Sequence, residues 1–253
     1  MESLAAPVLT EHMTTTPHTL VLTATGKVGS RVLAGLTAAG VPARGGSRSG
    51  TPPFDWDNRD TWRPALDGIT SVYIAYYPDL AAPGAAEVVE EFAGLAVANG
   101  ARRLVLLSGR GETEAERGEL AIRKAGAEWT ILRSSWFGQN FGESFMLDSP
   151  LAGELYELTG PRLLSFGDAV AEIAEATGRE IRYTPVTSKE YSTALAGQGV
   201  PSDAIGLLTY LFDEVLDGRN ASLTDGVERA LGRAPRDFTD YVRAAAAAGV
   251  WRV

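Results

Sequence analysis

The sequence predicts an α/β fold, a doubly wound parallel sheet of the Rossmann type with a reduced, mostly helical C-terminal cap. Short apolar segments alternate with helical segments through the first half of the chain, and a glycine-rich turn follows the first of them. The second half is mainly helical in pattern. We expect a flexible N-terminal tail over residues 1–17, a Rossmann domain over 18–150 and a small cap over 151–253.

The first half contains five predicted strands. Four are rich in β-branched and apolar residues, which are typical of strands buried on both faces of a parallel sheet, and Val41–Ser47 is a weaker one. These predicted strands are Thr19–Thr23, Val41–Ser47, Ser71–Ala75, Arg103–Leu107 and Trp129–Leu132. The segments between them have helical periodicity or helix-ending glycines, which predicts helices over Val28–Ala39, Asp60–Asp67, Ala85–Asn99 and Glu114–Lys124.

The second half has fewer strand signals. A capping box, Ser165-Phe-Gly-Asp168, predicts the start of a helix that ends at Thr177. Further strands are predicted at Leu155–Leu158 and Ile181–Val186. Residues 188–250 have a helical pattern, with breaks expected between Gly197 and Pro201, at Gly218 and near Pro235.

Composition argues against several classes of function. The chain has 253 residues, a net charge of −9 and no cysteine. An acidic chain without a basic stripe binds nucleic acid poorly, and no stretch approaches the ~20 apolar residues of a membrane span. The two histidines, His12 and His18, lie near the N-terminus, so we expect no metal site. No signal-peptide pattern is evident, which favours a cytoplasmic location. The oligomeric state stays open.

The strongest local signal is the segment Thr23-Ala-Thr25-Gly26-Lys27-Val28-Gly29, between the first strand and the first helix. Gly26 and Gly29 would let the backbone approach a pyrophosphate, and the helix N-terminus would supply free N–H groups. Thr23 stands where such a loop usually has its first glycine. The segment therefore predicts a dinucleotide-binding loop, although a plain glycine turn would have the same pattern.

The end of the second strand indicates which dinucleotide is bound. The chain reads Arg44-Gly-Gly-Ser47-Arg48-Ser49 there, and no carboxylate follows until Asp55. An acidic residue would bind the ribose hydroxyls of NAD, whereas an arginine binds the additional phosphate of NADP. Arg48 therefore favours NADPH/NADP+ as the cofactor. The alternative is a solvated surface arginine.

Several short motifs are spread over most of the chain. They are Thr25-Gly26-x-x-Gly29, Ser47-Arg48-Ser49, Phe54-Asp-Trp56-Asp, Thr61-Trp62, Ala65-Leu66-x-Gly68, Leu106-Leu107-Ser108, Trp129-Thr-Ile-Leu-Arg133, Trp136-Phe137-x-x-Asn140 and Tyr156-Glu-Leu-Thr-Gly-Pro161. Together they resemble the NmrA-like group of atypical short-chain dehydrogenases/reductases. The resemblance implies a Rossmann domain with a small substrate cap. It also implies either an NADPH-dependent reductase or an NADP-sensing regulator.

Ligands of Rossmann domains bind at the carboxyl ends of the strands. Beyond the loop and Arg48, we expect cofactor contacts from Ala75, Tyr76, Ser134 and Trp136. The resemblance places Ser108 where the family has its substrate-binding serine, although a strand-end hydroxyl could equally cap backbone. Further substrate contacts are expected from Tyr77, Trp136, Phe137 and Asn140. Trp136 and Phe137 could equally form a core between the domains.

Two features depart from the family pattern. Short-chain reductases generally use a Tyr-x-x-x-Lys pair, but Leu120 precedes Lys124 and Pro185 precedes Lys189 at that spacing. The chain is also short between Leu151 and Tyr156, where the family normally has a longer insert. The resemblance therefore implies a reduced substrate cap and a reaction without the usual tyrosine.

Reduction of a ketone leaves an alkoxide that needs a proton. Without the tyrosine, the proton could come from a phenol of the substrate, whose pKa is ~10, or from Tyr76 or Tyr77. The missing pair and the short cap resemble antibiotic-pathway polyketide ketoreductases that act on angucyclinones, of the simocyclinone type. This implies a small aromatic or polycyclic substrate. The alternatives are a quinone or imine reductase, and an NADP-sensing regulator without turnover.

Overall fold

Six parallel strands form one sheet in the computed structural model, which describes residues 18–135 and 154–251. The order across the sheet is β2-β1-β3-β4-β5-β6. The strands are β1 (Thr19–Leu22), β2 (Ala43–Gly46), β3 (Ser71–Ile74), β4 (Arg103–Gly109), β5 (Glu128–Ser134) and β6 (Glu154–Leu158). The predicted α/β fold is therefore confirmed. The predicted tail over residues 1–17, and the expected ligand contacts Trp136, Phe137 and Asn140, lie outside the described residues.

Helices cover both faces of the sheet and make up most of the chain after β6. They are α1 (Gly29–Ala38), α2 (Trp62–Ala65), α3 (Ala85–Ala98), α4 (Thr113–Lys124), α5 (Phe166–Thr177), α6 (Ser188–Gly197), α7 (Ser202–Tyr210), α8 (Gly226–Leu231) and α9 (Phe238–Ala247). A 3₁₀ turn over Arg59–Thr61 precedes α2, and a π-helical turn over Leu211–Val215 follows α7. Among the described residues, no helix has the length and apolar character needed to cross a membrane.

The alternating side chains of the strands form two cores. On one face, Leu104 and Leu106 of β4 pack with Phe92 of α3 in a large buried cluster. On the other face, Val21 of β1 packs with Val32 of α1 in a smaller one. Both faces of the sheet are thus covered, which agrees with the apolar runs of β1, β3 and β4.

The sheet continues beyond the domain boundary expected at residue 150. Strand β6 lies in the expected cap, yet it pairs in parallel with β5 from Thr130↔Glu154 to Ser134↔Leu158. The C-terminal part also returns to this strand, because the Thr224 Oγ1 hydroxyl donates to the Glu157 carbonyl at 2.6 Å. The sheet and the C-terminal part are therefore joined along β6.

The capping box at the start of α5 is confirmed. The Asp168 amide donates to Ser165 Oγ at 3.1 Å, and the Ser165 amide donates to Asp168 Oδ2 at 3.0 Å. Two backbone N–H groups at the helix start are satisfied in this way. The buried face of α5, at Ile173, packs against Val242 and Ala245 of α9.

The strand predicted over residues 181–186 is wrong, because this segment forms neither helix nor strand. Its apolar residues suggested a strand, but Tyr183 is 49% exposed and Val186 is 58% exposed. No strand of the described sheet pairs with the segment. A strand needs a hydrogen-bonding neighbour, which an apolar pattern alone does not provide.

Candidate functional site

The turn between β1 and α1 is fixed by Thr23. This residue has a φ of 51°, in the left-handed region that normally favours glycine. Its Oγ1 hydroxyl lies 2.7 Å from the Leu22 carbonyl and 3.3 Å from the Ala75 carbonyl, within hydrogen-bonding reach of both. The side chain thus holds the backbone in a conformation that a glycine would adopt without assistance. This accounts for a threonine at the position of the usual first glycine.

The start of α1 packs closely against the same turn. A Cβ atom on Gly29 would lie 2.3 Å from the Thr23 carbonyl oxygen, far inside van der Waals contact. A Cβ atom on Gly26 would lie 3.2 Å from that oxygen, which is tight but not impossible. Of the two glycines in the loop, Gly29 is therefore the one whose missing side chain the packing requires.

The loop offers hydrogen-bond donors to a ligand. Among the described residues, no hydrogen-bond acceptor is found for the backbone N–H groups of Lys27, Val28 and Gly29. Thr25, Gly26 and Lys27 are exposed, and the amino end of the ten-residue helix α1 follows directly. Unpaired N–H groups at the positive end of a helix dipole suit an anion such as a pyrophosphate.

Arg48 lies next to this loop. Leu22 pairs with Gly46 in the sheet, and the Ala24 amide donates to the Gly46 carbonyl at 3.1 Å, so the ends of β1 and β2 are adjacent. Arg48 follows two residues later and is exposed. Within the described part of the chain its guanidinium has no hydrogen bond or ion pair, so it is available for an anionic group beside the loop.

The end of β3 is the third part of this edge. Ala75 is buried, and its carbonyl also accepts a hydrogen bond from Trp56 Nε1 at 3.3 Å. Tyr76 packs on Trp56 with ring centroids 5.0 Å apart. Burial raises the pKa of the Tyr76 phenol, and Asp57 adds to the shift against a smaller opposing effect of Arg59. Tyr77 is 62% exposed.

A cavity of about 400 Å³ opens between the sheet and the C-terminal helices. It lies at the carboxyl ends of β4, β5 and β6, and two predicted cofactor residues, Val28 and Ser134, line it. Its size falls in the range of ligand sites, ~300–1,000 Å³. Its wall is mainly apolar, and includes Leu107, Leu158, Phe166, Leu216, Leu223, Phe238 and Tyr241.

Ser108, the predicted substrate-binding serine, does not line this cavity. Its side chain is buried and donates to Glu119 Oε1 at 2.7 Å. Glu119 is 2% exposed, and Arg133 donates to both of its carboxylate oxygens, at 2.8 and 2.5 Å. The structure therefore places Ser108 in a buried ionic cluster, with its proton directed at a carboxylate.

Arg123 of α4 extends the same cluster. Glu119 and Arg123 have the spacing of a Tyr-x-x-x-Lys pair on α4, and their charged groups lie 4.0 Å apart. Sequence reasoning missed Glu119, since a glutamate in a helical segment usually faces solvent. The sequence feature that could have identified Glu119 is its place on the helix between the strand that ends near Ser108 and the strand that ends near Arg133.

Glu112 is a second carboxylate at this edge that sequence reasoning missed. Its Oε2 atom lies beside Gly109, where a Cβ atom on that glycine would be 1.9 Å away. Burial, reinforced by the negative charges of Asp79 and Glu119, raises the pKa of Glu112 to about 7. The structure thus holds a carboxyl group that exchanges its proton near neutral pH at the carboxyl end of β4.

Among the described residues, no group of three or more His, Asp or Glu side chains is arranged to hold a metal.

Replacing Glu112 by glutamine should change stability in a pH-dependent way. The pKa is raised on folding from 4.5 to about 7, so the wild type loses stability as pH rises through this interval. A neutral glutamine avoids that loss. We expect the stability of Glu112→Gln relative to wild type to increase between pH 5 and pH 8 by on the order of 1–2 kcal/mol, allowing for partial solvent exposure.

Urea unfolding at both pH values measures this difference. Glu90→Gln, at an exposed position of α3, is the matched control and should show no such change. An equal effect of Glu112→Gln at pH 5 and pH 8 would contradict the assigned pKa.

Curated proteins related in sequence match nearly the whole chain. The uncharacterized oxidoreductase YesF of Bacillus subtilis is 26% identical, over 92% of this chain and 96% of its own length. Agroclavine dehydrogenase of Claviceps fusiformis is also 26% identical, over 88% of this chain and 96% of its own length. No protein-family model matches the sequence.

Solved structures share the fold. The NADPH-dependent quinone oxidoreductase QOR2 of Escherichia coli, in complex with NADPH, has a TM-score of 0.74 at 16% identity and covers 90% of this chain and 99% of its own. The triphenylmethane reductase of Citrobacter sp., in complex with NADP(H), has a TM-score of 0.71 at 15% identity with the same coverage. The chain thus has the fold of these NADP(H)-bound reductases, and the two sequence relatives above are named an oxidoreductase and a dehydrogenase, in agreement with the predicted enzyme class and cofactor.

Proposed function

We propose that this protein is an NADPH-dependent reductase. The single observation that carries the proposal is the turn in which Gly29 lies against the Thr23 carbonyl and leaves the N–H groups at the start of α1 unpaired, with Arg48 beside it. The N–H groups of Lys27, Val28 and Gly29 would hold the pyrophosphate, and Arg48 would hold the additional phosphate. When bound, the cofactor supplies a hydride.

The cavity beside this loop supports a polycyclic aromatic ketone as the substrate. Val28 belongs to both the loop and the cavity wall, which brings the cofactor site and the cavity together. The mainly apolar wall suits a fused aromatic ring system, while Ser134 and Asn220 offer polar contacts. Trp136, Phe137 and Asn140, which follow β5, are proposed as further contacts.

The proton needed for ketone reduction is proposed to come from the substrate. Conversion of a ketone to an alcohol consumes one hydride and one proton. The Ser108 hydroxyl already donates to Glu119, and the raised pKa of Tyr76 makes its phenol a weaker acid than usual. Glu112, whose pKa is near neutral, does not line the cavity. We therefore propose a phenol of the substrate next to the ketone as the donor, as in an aromatic polyketide intermediate of an antibiotic pathway.

A quinone or an imine is the alternative substrate class, because neither reduction needs a strong protein acid. A panel of peri-hydroxytetralone, menadione and a cyclic imine, with NADPH absorbance as the readout, separates these classes. Tight binding of NADPH without oxidation by any of them would instead favour an NADP-sensing regulator and refute a reductase.

Gly29→Ala should weaken NADPH binding and destabilise the protein, because the new methyl group collides with the Thr23 carbonyl. Overpacking of this kind costs ~1–3 kcal/mol. Gly26→Ala is the matched control and should have a much smaller effect on stability, since its contact is longer. Thermal unfolding and fluorescence titration with NADPH measure both effects. Equal behaviour of the two variants would contradict the role given to Gly29.

Arg48→Ala should weaken NADPH binding about 10- to 100-fold, because a hydrogen bond to a charged group contributes ~1.5–3 kcal/mol. NADH binding should change less than about twofold, since NADH lacks the additional phosphate. Calorimetric titration of both nucleotides tests this, with Arg59→Ala as a control at an arginine paired with Glu91. A similar loss for NADH and NADPH would show that Arg48 does not select the cofactor.

Methylation of the substrate phenol tests the proton source. We expect the peri-methyl ether of hydroxytetralone to be reduced ~10²- to 10⁴-fold more slowly than the free phenol, the usual contribution of a general acid. Tyr76→Phe and Tyr77→Phe should retain activity. Loss of activity in either tyrosine variant, with an undiminished rate for the ether, would assign the proton to the protein.

A further inference from the structure

The turn after β4 meets a distant segment of the C-terminal part. Arg110 follows β4 and is 9% exposed. Its Nη1 donates to the carbonyl oxygens of Asn220 at 3.1 Å and Ser222 at 2.8 Å, and its Nη2 donates to Ser222 Oγ at 2.6 Å. One buried guanidinium thus binds three acceptors of a single short segment.

The segment that contains Asn220 and Ser222 also donates a hydrogen bond back to the turn after β4. Asn220 Nδ2 lies 3.3 Å from the Arg110 carbonyl and 2.9 Å from the Val215 carbonyl, within hydrogen-bonding distance of both. Gly111 has a φ of 77°, and a Cβ atom there would lie 2.1 Å from Asn220 Nδ2. The contact is therefore close on both sides, and a glycine is required for it.

A chain of charged groups supports Arg110 from the sheet. Arg110 lies 3.6 Å from Glu157 of β6, and Glu157 lies 3.3 Å from Arg133 of β5. Arg133 in turn pairs with the buried Glu119. The guanidinium is thus fixed by its neighbours before it binds the segment, which limits the entropy lost in the contact.

The bound segment forms one wall of the cavity. Residues 216–225 are neither helix nor strand, so no regular backbone ladder determines their position. Asn220, Ser222 and Leu223 line the cavity together with Leu107 and Ser134 of the sheet. The hydrogen bonds of Arg110 therefore set the distance between this wall and the sheet.

We propose that Arg110 is a positioning residue for the substrate, which fixes the 220–223 wall and so determines substrate affinity. The inference rests on the proposed function, in which the cavity takes an aromatic ketone. In the sheet, β3 lies between β4, which Arg110 follows, and β1, which the Thr23–Gly29 loop follows. We therefore assign the contribution of Arg110 to the substrate and not to the cofactor.

The test compares Arg110→Lys with Arg117→Lys, a control at an exposed arginine of α4 that pairs with Glu87 of α3 and Glu114 of α4. A lysine cannot reproduce three directed bonds from one planar group. For peri-hydroxytetralone with NADPH, we expect KM to rise about tenfold in Arg110→Lys, with kcat changed less than about threefold and NADPH affinity unchanged. Ser222→Ala, which removes one acceptor only, should raise KM about two- to threefold.

Two readouts separate positioning from a general loss of structure. Hydrogen exchange of the free enzyme should accelerate over residues 216–225 in Arg110→Lys and stay unchanged elsewhere. In Arg110→Ala, added methylguanidinium should restore KM. The positioning role is overturned if Arg110→Lys leaves KM unaltered, or if it lowers kcat and NADPH affinity in addition to raising KM. The reductase function stands in either case.

Direct binding of peri-hydroxytetralone, followed by intrinsic fluorescence, distinguishes failure of the proposed function. If the wild type binds the ketone without oxidising NADPH, and Arg110→Lys binds it about tenfold more weakly, the function is wrong and the positioning role holds. If the wild type does not bind the ketone at all, the positioning role is overturned.

Discussion

The carboxyl edge of the sheet depends on the buried carboxylate of Glu119. This side chain is 2% exposed and is held by Ser108 from β4 and by Arg133 from β5. A carboxylate taken out of water costs several kcal/mol unless its oxygens are fully bonded, and loss of one partner of such a pair costs ~3–5 kcal/mol. The positions of α4, β4 and β5 at this edge are therefore linked, because the buried charge requires all of them.

The same bonds limit the chemistry that the edge can perform. Ser108 has a single hydroxyl proton, which is directed at Glu119 and away from the cavity. Glu119 and Arg123 have the spacing of a tyrosine–lysine pair, but both carboxylate oxygens of Glu119 accept hydrogen bonds from Arg133. A carboxylate bonded in this way is not placed to donate a proton to a substrate. Under the proposed function, the main catalytic contribution of this edge would be the orientation of cofactor and substrate, and the proton would come from the substrate.

Local patterns predicted the parts of the molecule that are locally determined. The capping box at Ser165 and the contact of Gly29 with the Thr23 carbonyl before α1 depend on neighbours within a few residues, so their sequence signals were sufficient. The predicted end of β5 at Leu132 failed for the opposite reason. Arg133 and Ser134 are polar and suggest a strand end, but the strand continues to Ser134, since Arg133 pairs with a glutamate from another element.

The cofactor and substrate parts of the site differ in the same way. The proposed cofactor loop is one continuous segment, whose turn, glycine contact and helix start can be inferred from consecutive residues. The cavity wall is held by Arg110, which donates hydrogen bonds to carbonyl oxygens of the wall that lie 110 and 112 positions later in the chain. Hydrogen bonds between residues so far apart in the chain leave no periodic signal in the sequence, because each partner alone is an ordinary polar residue. The substrate part of such a site can therefore change by substitution of a few distant residues, while the loop that binds the dinucleotide remains recognisable.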